Sequence, residues 1–109
     1  MKLTIPYPVP AHACFRNLTG KGRVKTSRYR TWIRAAGNEV MAQRREHFDG
    51  DVTLSLIAKR PDKRRRDLDN LLKASQDLMV HCGILDDDQQ IIKVSAEWGS
   101  ETAIEIEAA

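Results

Sequence analysis

The spacing of hydrophobic residues changes several times along the chain, and these changes predict its secondary structure. Apolar residues recur at helical spacing over about 26–48 and again over about 67–81. Between Val52 and Ala58 they alternate with polar residues, as in a strand with one buried face. The pattern therefore predicts two helices and a sheet that share one core.

Each predicted helix has its own boundary signals and its own buried face. Thr26 or Ser27 can cap the first helix, and Gly83 at the C′ position ends the second. The positions on the inner face of the first helix are Tyr29, Trp32, Ile33, Ala36, Val40, Met41 and Arg44. Those of the second are Leu68, Leu71, Leu72, Ser75, Leu78 and Met79. We expect both faces to pack inward, with Trp32 in the core or in an interface.

The remaining segments are predicted to be short strands and a loop. A short strand is predicted from Lys2 to Tyr7 and is ended by Pro6 and Pro8. Residues 11–25 have the composition of a loop. Alternation over 92–98 and at Ile104 and Ile106 predicts an antiparallel pair of strands at the end of the chain. The element order is therefore that of an α+β fold with two main helices packed on a sheet.

Length and composition indicate one small globular domain covering residues 1–109. The N-terminus lacks the apolar region of a signal peptide, and no apolar run reaches membrane length. Cys14 and Cys82 form no disulfide framework, so we expect free thiols and a cytoplasmic location without a membrane partner.

Charge is distributed very unevenly along the chain. Residues 1–66 contain 16 Lys or Arg and five Asp or Glu, whereas residues 67–109 contain two and ten. A basic portion indicates a polyanionic partner such as nucleic acid, although two solvated faces would have the same composition. The cations of the 16–25 segment, interleaved with Phe15, could contact a nucleic-acid backbone or belong to a solvated loop; they are Arg16, Lys21, Arg23 and Lys25.

The charge changes sign inside the motif Arg64-Arg65-Arg66-Asp67-Leu68-Asp69-Asn70, which follows the basic residue Lys63. Guanidinium groups bind phosphate with two hydrogen bonds, and paired carboxylates bind a hard cation such as Mg²⁺. A metal-dependent phosphodiesterase needs both. The alternative interpretation of Asp67 and Asp69 is capping of the second helix, for which one of them would suffice.

A second acidic cluster, Asp86-Asp87-Asp88, follows the second helix, and a turn needs only one of these three residues. Lys73 lies one turn after Asp69 and could stabilise charge on a phosphate. A helix of about 13 residues is roughly 20 Å long. The chain must therefore fold back, or a partner subunit must contribute, if Asp88 is to approach Asp67 and Asp69.

These two motifs together resemble the core of the RusA-type Holliday junction resolvases. The similarity covers about residues 59–94 and includes Arg64 to Asn70, Lys73, Gly83 and the run from Asp86 to Ile91. It implies a small mixed β-sheet with helices, a homodimer, and cleavage of four-way DNA junctions with Mg²⁺ or Mn²⁺ by paired symmetric nicks. Such enzymes act in recombination and repair and are often encoded by prophages.

The resemblance also implies roles for individual residues. Asp67, Asp69 and Asp88 would bind metal, Asp87 could share that role, and Lys73 would be the essential lysine. The arginines of the motif would position the DNA backbone. The chain departs from the family at Val9-Pro10-Ala11-His12-Ala13, where a Pro-Pro-Ser-x-Asn segment is usual.

Three other classes of function are compatible with the same residues. One is a non-catalytic nucleic-acid-binding protein in which the aspartates are caps and turn residues. A second is a metal nuclease that acts on other branched DNA or on RNA. An interaction module with no nucleic-acid partner is a third.

Overall fold

The computed structural model describes residues 1–43 and 45–109. The prediction for Arg44 lies outside these described residues. The strands are β1 (Lys2–Thr4), β2 (Phe15–Leu18), β3 (Gly22–Lys25), β4 (Val52–Ala58), β5 (Ile91–Trp98) and β6 (Ala103–Ala108). The helices are α1 (Ser27–Met41) and α2 (Leu72–His81). Short 3₁₀ turns occupy Ala11–Ala13, Leu68–Leu71 and Asp88–Gln90.

The main sheet is mixed, as predicted, and its strand order is β1-β6-β4-β5. β6 runs antiparallel to both β1 and β4, whereas β5 runs parallel to β4, with Ala58 opposite Trp98. The prediction of an antiparallel pair formed by the last two strands is wrong, because β4 lies between them. A helix connects β4 to β5, and a helical crossover of this kind joins parallel strands.

Gly99 explains how the chain passes from β5 to the other side of β4. Its N–H donates to the carbonyl of Ala58 at 2.9 Å, at the end of β4. A Cβ atom at this position would lie 2.6 Å from Cγ2 of Ile57, which is closer than real Cβ contacts. The absence of a side chain thus lets the chain turn tightly around β4, and β6 then pairs with the opposite edge of that strand.

The core lies between the helices and one face of the sheet. The predicted alternation in β4 is confirmed, since Val52, Leu54, Leu56 and Ala58 are buried. Most of the predicted helix faces are buried as well, and Trp32 is only 8% exposed. Leu68 and Leu72 are half-buried, whereas Met41, the last residue of α1, is 54% exposed, so its predicted inward position is wrong.

Residues 15–25 are not the predicted loop but a two-stranded hairpin formed by β2 and β3. Gly20 and Gly22 have φ values of +79° and +72°, which glycine adopts without the strain that other residues incur. The Phe15 ring packs edge-on against Tyr29 of α1, with centroids 5.5 Å apart. The hairpin is therefore attached to the core through an aromatic contact that local periodicity does not reveal.

Several predicted boundaries shift. Thr26 caps α1 as expected, accepting a hydrogen bond from the Tyr29 N–H at 3.2 Å, but the helix ends at Met41 rather than near Phe48. β1 ends at Thr4, before the prolines. α2 begins at Leu72 after a 3₁₀ turn, and Gly83 follows it with a φ of +72°. No helix within the described ranges is both long and apolar enough to span a membrane.

Candidate active site

Asp62 organises the basic loop between β4 and the aspartate motif. Its carboxylate accepts two hydrogen bonds from the Arg66 guanidinium, at 3.2 and 2.6 Å, and one from the Arg64 backbone N–H at 3.0 Å. The hydrogen bonds from Arg66 hold the pKa of Asp62 well below its usual range. Arg66 is thus half-buried and shapes the loop, whereas Lys63, Arg64 and Arg65 are exposed.

A cavity of about 630 Å³ opens beside this loop and is rich in positive charge. Its wall includes four arginines, Arg28, Arg60, Arg65 and Arg66, and also Asp67. Tyr7 lines it too, and its buried hydroxyl has no hydrogen-bond partner among the described residues. Leaving a buried hydroxyl without a hydrogen bond costs folding free energy, which a bound anion could recover by accepting from it. The cavity therefore offers an anion both positive charge and a free hydrogen-bond donor.

A second cleft contains Lys73 together with the acidic turn. It is lined by Lys73, Asp77 and the run Asp86 to Asp88, and Lys25 of the hairpin also contributes. The Lys73 ammonium donates to one oxygen of Asp77 at 3.0 Å, and the Tyr29 hydroxyl donates to the other. Tyr29 is fully buried, and burial, together with the hydrogen bond to Asp77, raises the pKa of its hydroxyl. Lys73 is therefore held in place by a chain of contacts that begins in the core.

Sequence analysis missed Asp77 and Tyr29 as parts of this cleft. The spacing of Lys73 and Asp77, four residues apart on one helix, was a signal for the first contact. No local pattern connects Asp77 with Tyr29, because the two residues are 48 positions apart and meet only through the packing of α1 on α2.

The acidic turn is rigidly held by Gln90. The Gln90 amide oxygen accepts from the backbone N–H groups of Asp86 and Asp87, and its nitrogen donates to the Phe48 and Gly50 carbonyls at 2.8 Å. The Asp87 side chain accepts from the Gln89 N–H at 2.9 Å, which lowers the pKa of Asp87. Asp87 is thus the one aspartate of the run that caps the turn.

Asp67 behaves differently from Asp87. It occupies the N-cap position of the 3₁₀ turn, but its side chain makes no capping hydrogen bond. Its closest hydrogen-bonding neighbour is the Asn70 amide, at a long 3.5 Å. Asp67 and Asp69 are both exposed. Capping therefore does not explain Asp67, and its carboxylate is available to a ligand.

The fold partly answers how Asp88 returns towards the aspartate motif. α2 has only ten residues, the Asp88–Gln90 turn packs against it, and β5 packs against the Leu68–Leu71 turn. Even so, Asp67 lies in the arginine-rich cavity, whereas Asp88 lies in the Lys73 cleft. The assignment of Asp67, Asp69 and Asp88 as metal ligands, with Asp87 as a neighbour, stays a prediction.

A different trio brings its potential ligand atoms within 4.8 Å of one another in the described part of the chain, namely His47, Asp49 and Asp86, all exposed. His47 Nδ1 contacts the Gly83 carbonyl at 2.8 Å, and Nε2 lies 3.0 Å from Asp49 and 3.6 Å from Asp86. The hydrogen bond to Gly83, supported by both carboxylates, raises the pKa of His47. The imidazole therefore already has a structural role in linking three segments.

The predicted DNA-binding residues of the hairpin lie on an exposed surface. Arg16, Lys21, Arg23 and Lys25 are all exposed. The Arg23 guanidinium lies 3.9 Å from the centre of the Phe15 ring, and Lys25 lies at the edge of the Lys73 cleft. The hairpin thus extends the positive surface next to that cleft.

Comparison with known proteins connects this geometry to one family. The family model described as Endodeoxyribonuclease RusA matches residues 6–108. The chain belongs to the RusA family. The matched range contains the residues that line both clefts.

Three similar relatives carry the name crossover junction endodeoxyribonuclease RusA. The relative from Enterobacteria phage HK97 is 30% identical over 95 residues, covering 82% of this chain and 74% of its own length. That from Enterobacteria phage 82 is 32% identical, with 83% and 75% covered. The Aquifex aeolicus (strain VF5) relative is 33% identical, with 80% and 70% covered. Two of these three RusA relatives are phage proteins.

Proposed function

We propose that this protein is a Mg²⁺-dependent endodeoxyribonuclease that resolves four-way DNA junctions by paired symmetric nicks during recombination and repair. The observation that carries the proposal is the position of Asp67 in the wall of an arginine-rich cavity, in a chain of the RusA family. That arrangement places a carboxylate able to bind a cation next to groups that bind a DNA phosphate.

The arginine-rich cavity supports binding of the DNA backbone. Arg28, Arg60 and Arg65 can each donate to phosphate oxygens, and the Tyr7 hydroxyl can add a further hydrogen bond. Arg66 contributes positive charge while its pairing with Asp62 fixes its position. Lys63, Arg64 and the hairpin cations would hold more distant phosphates of the junction arms.

The chemistry of the acidic residues fits a divalent cation. Asp67, Asp69 and Asp88 would hold it, with Asp87 as a neighbour, because carboxylate oxygens are the ligands that Mg²⁺ and Mn²⁺ prefer. Bound Mg²⁺ supplies Lewis-acid polarisation of the phosphate and lowers the pKa of an attacking water. Asp67 and Asp69 are both exposed, so a cation in solution can reach them.

Lys73 would supply positive charge for the transition state. Its ammonium lies in the same cleft as Asp86 to Asp88, and Asp77 holds it there at 3.0 Å. A fixed cation stabilises the extra negative charge that develops on a phosphate under attack more effectively than a mobile one. Two copies of the site, related by the two-fold axis of a homodimer, would account for paired nicks.

The test is cleavage of a labelled mobile four-way junction, compared with a duplex and an RNA hairpin, with and without Mg²⁺. We expect symmetric nicks in the junction alone and only with Mg²⁺ or Mn²⁺. Asp69→Asn should bind the junction normally and cleave it at least 100-fold more slowly, as expected for loss of one metal ligand. Asp51→Asn, which changes an exposed aspartate outside both clefts, is the matched control.

The outcomes separate the alternatives. Cleavage by Asp69→Asn at the wild-type rate would contradict the site assignment. Junction binding without nicking in any metal would favour a non-catalytic binding protein, and preferential cleavage of the RNA hairpin would favour a different metal nuclease.

A further inference from the structure

The two edge strands of the main sheet differ in how their outer backbone groups are paired. At one edge β1 has only three residues, and the Gln43 amide accepts from the Thr4 N–H at 2.9 Å and donates to the Thr4 carbonyl at 2.8 Å. At the other edge β5 has eight residues and pairs with β4 alone. Over residues 1–43 and 45–109, the outer side of β5 makes no backbone hydrogen bond. A long open edge is normally paired or protected in folded proteins.

The helix-side face of β5 is also apolar and uncovered. Val94 lies opposite Leu54, which is 1% exposed, yet Val94 itself is 41% exposed. Ile92 lies at a register irregularity, where Ile91 pairs with Val52 and Lys93 with Thr53, and it is 59% exposed. The layer of helices thus covers β4 but stops short of the first half of β5. An exposed apolar edge of this kind marks a binding surface or an aggregation liability.

We propose that β5 is the homodimer interface, where it pairs antiparallel with β5 of a second copy about a two-fold axis at Ser95. This inference rests on the homodimer of the proposed function and specifies how it is built. The axis must run perpendicular to the sheet, so that each residue faces a partner residue on the same side of the combined sheet. Side chains alternate between the two faces of a strand, so paired residues lie on the same face only if both numbers are odd or both are even.

The charges on β5 select one of these registers. With Ser95 on the axis, Lys93 lies opposite Glu97 of the partner subunit, and this ion pair occurs twice. In the same register Val94 faces the partner's Ala96. An axis at residue 93 would place two lysines opposite each other, and an axis at residue 97 would place two glutamates opposite each other. The strand is therefore complementary to itself in the register centred on Ser95.

A charge swap tests this register. Lys93→Glu should raise the dimer dissociation constant at least 10-fold. The new carboxylate at position 93 of each subunit then faces the partner's Glu97, and this repulsive contact occurs twice. Glu97→Lys should do the same, and the Lys93→Glu/Glu97→Lys double variant should return to within about threefold of wild type. Sedimentation without DNA measures the constants. Lys21→Glu, which makes the same charge change on the hairpin, controls for net charge.

Cross-linking gives an independent test of the axis. In a Cys82→Ser background, Ser95→Cys should form a covalent dimer under mild oxidation, because directly opposed residues on paired strands have Cβ atoms about 4.5–5.5 Å apart. Thr31→Cys, exposed on α1, should not. Cys14 is buried and is retained.

Each outcome bears on the interface separately from the chemistry. A monomeric wild-type protein, a double variant that stays dissociated, or a dimer that Ser95→Cys fails to cross-link would each overturn the β5 interface. Junction cleavage by wild type under those results would leave the nuclease proposal standing, and a monomeric wild type would overturn only its homodimeric form. Conversely, an intact Ser95→Cys cross-link in a protein that never nicks junctions would support the interface and contradict the nuclease proposal.

Discussion

Lys73 shows at the scale of one residue how a surface cation becomes part of a site. A free lysine side chain samples many rotamers, but here Asp77 holds the ammonium and Tyr29, fully buried, holds Asp77. The centre of the Phe15 ring, on the hairpin, lies 5.9 Å from the Lys73 ammonium nitrogen. The lysine is thus oriented by neighbouring side chains from α1, α2 and the hairpin.

Removing this support should slow cleavage without weakening DNA binding. We expect Asp77→Ala to lower the single-turnover rate of junction cleavage roughly 10- to 100-fold, since small misplacement of a catalytic group has effects of that size. Tyr29→Phe should show a smaller loss, because Asp77 keeps its contact with Lys73. Gln76→Ala, on the same helix but outside the cleft, should cleave normally.

A double-mutant comparison of cleavage rates decides whether Asp77 acts through Lys73. If Asp77→Ala in a Lys73→Ala background caused a further loss as large as in wild type, the two residues would act independently and positioning would be the wrong explanation. Circular dichroism of each variant checks that the fold is retained.

At the scale of elements, His47 joins the segment before β4 to the two turns after α2. Its ring contacts the Gly83 carbonyl on one side and the carboxylates of Asp49 and Asp86 on the other. All of these contacts are satisfied together only by the protonated ring. Because this arrangement favours the charged imidazole, the pKa of His47 is raised above its ordinary value of 6.5.

This link predicts a pH dependence of stability. A raised folded-state pKa gives a contribution that is complete below the unfolded value of about 6.5 and is lost as pH rises through the folded pKa. Wild type should therefore lose stability relative to His47→Gln as pH rises from 6 to 9. Urea unfolding of both proteins across that range measures the difference, and parallel curves would contradict the role of His47.

At the scale of the whole molecule, basic residues lie in the walls of both clefts and on the exposed hairpin. The arginine-rich cavity, the exposed loop residues Lys63 and Arg64, and the hairpin lie outside the apolar core. The acidic part of the chain, residues 67–109, supplies the aspartate clusters and the whole of β5 and β6. The charge that is segregated along the sequence is therefore brought together at the two clefts, each of which contains both cations and carboxylates.

Phosphate contacts of this kind predict strong salt dependence of junction binding. The logarithm of the binding constant should fall linearly with the logarithm of salt concentration, with a slope of about −0.9 per phosphate contacted. Arg65→Ala should weaken binding and make the slope shallower by about one. Arg34→Ala, exposed on α1 outside the cavity, should leave the slope unchanged; an equal change there would assign the effect to net charge alone.

Particular residues show how far local pattern determined the fold and the site. The Thr26 cap, the alternation of Val52 to Ala58 and the glycine after α2 follow from short-range geometry, and all three are confirmed. The aspartate motif, the acidic turn and the basic segments were also identified as candidates from residue chemistry alone. Periods of two and 3.6 residues describe what one segment can bury, and so they can be recognised without the rest of the chain.

Tertiary structure decided whatever depends on which segments meet. The sequence could not show that β4 separates β5 from β6, because adjacency in a sheet is set by crossover and packing rather than by alternation. Nor could it show that residues 15–25 pair as a hairpin on Tyr29, or that Tyr29 reaches Asp77. Local periodicity selects the elements and their buried faces, whereas long-range packing selects their neighbours, and the candidate site is built from neighbours.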